Sequence, residues 1–102
     1  MPHGAGLSVI VPAWMKWYHD RNPGQFARFA RNVFGVETGE AGIAALKAWY
    51  DKIGTPTRLP QLNIQAADLP AIVDNAQRNV RVFGIAETYP PEAVTAILRN
   101  AL

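Results

Sequence analysis

The chain has no cysteine at all. That removes disulfides, thiolate metal sites and a cysteine nucleophile together, and it is consistent with a cytosolic origin. Charge of one sign is also missing. Ten Lys and Arg stand against eight Asp and Glu, a net charge of +2, so the pI of 9.3 reflects a small imbalance rather than a polybasic surface. No run of lysine or arginine occurs, and no strongly acidic tract. The longest apolar stretch, from Leu7 to Met15, falls far short of the roughly 20 residues that span a bilayer, and no charged leader precedes it. No internal repeat, low-complexity tract or hairpin signal interrupts the pattern. With 102 residues and 49% hydrophobic composition, the sequence bounds one small globular domain.

What remains is a set of helical periods. Residues 7–18 are apolar on almost every side; Ser8-Val9-Ile10-Val11 equally fits a short buried strand ended by Pro12, but the pattern continues through Trp14, Met15, Trp17 and Tyr18 and favours a helix kinked at Pro12. Asn22-Pro23 reads as an N-cap followed by proline at the first helical position. Phe26, Phe29, Ala30 and Val33 then share one face, and Gly35 ends the helix. A third helix carries Ile43, Leu46, Tyr50 and Ile53 and stops at Gly54. "GTPTRLP" follows as a rigid loop. Asp68 is placed to cap a fourth helix bearing Leu69, Ile72, Val73 and Ala76. Residues 79–89 show no helical period and read as a loop. Pro91-Glu92 opens a last helix with Val94, Ile97, Leu98 and Ala101 on one side. The expected fold is all-α, a small irregular bundle of about five helices.

Few residues invite chemistry. The chain holds two histidines, His3 and His19. If the segment between them is helical, they stand roughly 24 Å apart at 1.5 Å per residue and cannot share a metal; His19, in the polar "HDRNP" turn, is expected in solvent. A zinc or iron site takes three or four ligands, so a site built on His3 is incomplete within these residues. The carboxylates Asp20, Glu37, Glu40, Asp51, Asp68, Asp74, Glu87 and Glu92 are scattered singly and suit caps and solvated faces. Gly35, Gly39 and Gly42 lack the preceding strand of a dinucleotide-binding loop. Lys16, Arg21, Arg28 and Arg31 are broken up by acids, which argues against a nucleic-acid surface. Trp14, Trp17 and Trp49 fit core or interface anchors better than a base-stacking platform.

The ordered set His3-Gly4-Ala5-Gly6-Leu7 with Pro12-Ala13-Trp14-Met15, Phe26 to Gly35, Ile53-Gly54-Thr55-Pro56-Thr57-Arg58-Leu59 and the closing Val94 to Leu102 resembles the C-terminal part of iron-containing alcohol dehydrogenases, in the butanol-dehydrogenase-like branch. The resemblance implies that residues 1–102 are the C-terminal portion of a helical metal-binding domain of the dehydroquinate-synthase-like type. It implies an N-terminal nucleotide-binding domain, absent here, and the cofactors Fe2+ (or Zn2+) and NAD(P). It makes His3 the last metal-ligand histidine, with the other ligands expected upstream of residue 1. It implies a small alcohol or aldehyde substrate, with the divalent ion polarising its oxygen and hydride passing to or from nicotinamide. By this reading the chain alone is inactive, and its partner is the preceding part of the same polypeptide. Without that partner, self-association through the apolar 7–18 segment is expected; neither nucleic acid nor membrane is. The alternative from another class is a non-enzymatic helical interaction module.

Overall fold

The computed structural model of the chain describes residues 3–102. Among these residues there are five α-helices and no strand: α1 (His3–Tyr18), α2 (Pro23–Phe29), α3 (Gly39–Ile53), α4 (Leu69–Val82) and α5 (Pro91–Asn100). Short 3-10 turns cover His19–Arg21, Leu59–Leu62 and Ala66–Asp68, and a π-helical turn covers Ala30–Phe34. None of the helices is long and apolar enough to cross a membrane.

Helix α1 is the axis of the molecule, and it continues through the buried Pro12. An interior proline costs a helix about 3 kcal/mol, so tertiary packing holds this one in place. Val9 and Ala13, 1% and 4% exposed, join Leu59, Leu69, Val73, Ile97, Leu98 and Ala101 in one core cluster against α4 and α5. Met15 joins Phe26 and Ile43 in a second cluster against α2 and α3. Much of the apolar 7–18 segment is thus used within the chain itself. Ile10, Trp14 and Trp17 are half-buried and pack on the first cluster. Among the described residues of this helix, Leu7 is the large apolar side chain that stays well exposed, at 45%.

Three local expectations also change. Val33 is 62% exposed rather than packed. The helix widens into the π turn after Phe29, and i→i+5 bonding inserts an extra residue. The ring that packs on Phe29 is therefore Phe34, edge-on at 5.7 Å, five residues on. Helix α4 runs on through Val82, into the stretch read as a loop. There Asn79 and Arg81 donate back to the carbonyls of Asn75 and Gln77, so polar side chains sustain a helix without an apolar period. Asp68 accepts from the Gln65 N–H at 2.9 Å, closing the turn before α4 rather than capping α4 itself. Asn22 starts α2 through its carbonyl, with no side-chain cap. The side-chain cap that does form is Thr38, whose Oγ1 accepts from Ala41 N–H at 3.1 Å at the head of α3. Gly35 and Gly54 stop their helices in left-handed conformations, with φ of 67° and 85°.

Candidate functional site

His3 is the first residue of α1, and Gly4 follows with nothing within 4 Å of where a Cβ would stand. The side chain of His3 lies outside the described residues. Among the described residues no three histidines, aspartates or glutamates come together in a way that could hold a metal ion. All eight carboxylate residues are exposed, and several already have local work. Asp51 accepts from the Thr57 hydroxyl at 2.7 Å, and Asp68 closes its own turn. The donor set of these residues does not make up a metal centre.

His19 is not the solvated residue expected. Its side chain is 16% exposed. The ring packs on Phe26 at 5.7 Å, and its Nδ1 lies 3.2 Å from an Asp20 carboxylate oxygen that is itself almost fully in water. A Cβ on Gly39 would meet His19 Nε2 at 2.5 Å, so the bare glycine is what lets the ring lie there. His3 opens α1 and His19 lies in the turn just past its end, which keeps the two residues apart.

The basic residues do not form one surface either. The Arg21 guanidinium lies 3.8 Å over the Trp17 ring and donates to the Trp17 carbonyl, an intramolecular cation–π contact. Trp14 donates its indole N–H to the Tyr89 hydroxyl at 3.0 Å, and Trp17 packs on the Tyr89 ring. Trp49, at 49% exposed, stands outside the core.

Two buried hydroxyl residues carry a role that the apolar periods concealed. Ser8, 3% exposed, lies on the first third of α1, with its Oγ in hydrogen-bonding reach of the Pro56 and Ala5 carbonyls. Thr57, also 3% exposed, ties the same loop to α3 through Asp51 and to the following turn through the Gln61 side chain. The "GTPTRLP" loop is thereby fixed to the His3 end of α1. A serine inside an otherwise apolar run was the sequence signal for it, because a buried hydroxyl needs a partner.

The comparisons with known proteins agree in scale. The model of the Fe-containing alcohol dehydrogenase family, C-terminal part, matches residues 1–102. A probable NADH-dependent butanol dehydrogenase 2 of Bacillus subtilis is 33% identical over the whole chain, and a 1,3-propanediol dehydrogenase of Klebsiella pneumoniae is 30% identical over 99% of it. The crystal structure of NADH-dependent butanol dehydrogenase A from Thermotoga maritima superposes with a TM-score of 0.90 at 37% identity, over 99% of this chain. The chain spans 29% of the length of the Bacillus and Thermotoga proteins and 28% of the Klebsiella one.

Proposed function

The chain belongs to the iron-containing alcohol dehydrogenase family, and on that premise we propose that residues 1–102 serve as the C-terminal portion of the helical domain of an NAD(P)-linked alcohol/aldehyde oxidoreductase. The observation that carries this reading is the family match from end to end, joined to a 0.90 superposition at 37% identity. In this reading His3 supplies one metal ligand from the head of α1, and the remaining ligands and the nucleotide-binding domain come from a preceding stretch of polypeptide. Ser8, Pro56 and Thr57 act as positioning residues. They hold the loop after α3 against α1 close to His3 and so set the angle at which that helix presents its first turn. A divalent ion, Fe2+ or Zn2+, would supply the Lewis acid.

A chimera tests the proposal. These 102 residues are put in place of the matching stretch of the Bacillus subtilis relative, and NADH oxidation with butanal is followed. The expected result is turnover by the chimera and none by the 102-residue chain alone with either nicotinamide cofactor. A well-folded chimera without turnover, or metal-dependent turnover by the chain alone, goes against it.

The same reading assigns a face. Leu7, Val11, Trp14 and Tyr18 follow one another at i, i+4, i+7, i+11 along α1. Leu7 is exposed, and the other three, packed on one side against the second cluster, keep a half-exposed edge. This stripe is proposed to pack on the preceding part of the polypeptide and, where that is lacking, on a second copy of the chain. Sedimentation at micromolar concentration is expected to show the 102-residue chain associating, and Leu7→Lys with Val11→Lys is expected to return it to a monomer. A monomeric parent chain would count against the stripe.

A further inference from the structure

A cleft of about 450 Å3 opens on the other side of α1, where the last turns of that helix face α3 and the end of α5. Its apolar floor is made by Val9, Pro12, Ala13 and Ile43, all buried. Its polar lining includes Lys16 and Lys47 from α1 and α3, with Asn100 at the end of α5. An apolar floor with a few converging polar groups is the usual make-up of a small-molecule site, and the volume lies in the usual range.

The charges in the cleft are not used up on one another. Among the described residues neither lysine has a carboxylate within 4.0 Å. Two acids share the lining, both exposed. Asp20 is in water beside His19. Glu40 sits in the first turn of α3, where the positive end of the helix dipole offsets it. Lys47 has no such balance. It is mid-helix and half-buried, and Asp51, one turn further on, accepts from Thr57 instead. Lys16, an exposed residue, lines the same cleft from α1.

We propose that this cleft between α1, α3 and the end of α5 binds a small organic carboxylate, its anionic group held by Lys16 and Lys47 and its apolar body laid on Val9, Pro12 and Ile43. The site is separate from His3. Lys16 lies thirteen residues further along α1, which is about 20 Å of helix rise. The proposal therefore stands or falls independently of the dehydrogenase reading.

The test uses the chimera that carries these 102 residues and its thermal melt, with sodium benzoate as probe and inorganic phosphate and sodium chloride at matched ionic strength as controls. Benzoate is expected to raise the melting temperature saturably, by several degrees, because it binds the folded state only. Lys16→Met with Lys47→Met is expected to weaken that response about tenfold or more, since two charge-assisted contacts are lost. Ala44→Phe, which fills the cleft from α3 and leaves both lysines, is expected to remove it as well. A chimera that shows no saturable rise with benzoate overturns the proposal, and so does a rise that sodium chloride or phosphate reproduces or that both variants retain.

Discussion

Replacing His3 with alanine in the active chimera is expected to remove bound metal and to lower turnover by roughly a thousandfold. A Lewis acid acting on an alcohol or aldehyde oxygen is worth several kcal/mol, and each ~1.4 kcal/mol is a factor of ten in rate. Losing one imidazole from a set of three or four also opens the site to water. The chain has one other histidine, His19, at the far end of α1 and packed against Phe26. It is the internal control. His19→Gln is expected to keep both the metal and the turnover, because sixteen residues of chain, about 24 Å at the rise of a helix, separate the two positions. Metal content per chain and the rate of NADH oxidation are the two measurements. Full metal occupancy in His3→Ala would show that the ligand set lies elsewhere. Metal loss in a folded His19→Gln protein would show that the two ends of the helix are not independent.

The second large effect concerns Gly42, and its sign runs against local helix propensity. In an exposed helix, glycine to alanine gains about 1 kcal/mol. Here a Cβ would stand 2.6 Å from the Cβ of Ala30 and 2.9 Å from its Cα. Ala30 is completely buried and has no flexible end to move aside. The π turn and α3 would have to separate, which opens the cluster of Met15, Phe26 and Ile43 beside them. Overpacking of this kind costs about 1–3 kcal/mol beyond the propensity gain, and Gly42→Val is expected to cost more. Gly24→Ala in α2 provides the contrast, since nothing lies within 4 Å of its Cβ; it is expected to be neutral or to stabilise by up to about 1 kcal/mol. Urea midpoints of the three variants check the order. A Gly42→Ala protein as stable as the parent would mean that the two helices do not meet as closely as the structure has them.

The residues show unevenly what can be known from a sequence. Helix existence was legible wherever an apolar period and a stop coincided. Gly35 and Gly54 end their helices as expected, and Ile97, Leu98 and Ala101 are buried together on the last one. Local chemistry suffices there, because a left-handed residue or an apolar stripe needs no knowledge of its neighbours. The family was legible too, because the ordered set from His3-Gly4 to the closing Val94–Leu102 is longer than chance allows. The role of His3 was legible only through that resemblance, since one imidazole carries no geometry by itself.

The rest was decided in three dimensions. The π turn that swings Val33 into water and brings Phe34 to Phe29 lies with Ala30 against Gly42 of the next helix, a neighbour that the period of α2 does not reveal. His19 leaves the solvent because Gly39, twenty residues later, has no side chain to exclude it. Lys16 and Lys47 belong to different helices, and only the crossing of α1 and α3 makes them neighbours of one cleft. The sequence by itself determined which segments are helical, where most of them stop and which family they belong to, because those depend on residues close together in the chain. The tertiary structure decided which faces are buried, which polar groups find partners and which charges are left without one, because each depends on what arrives from the other side of a helix crossing.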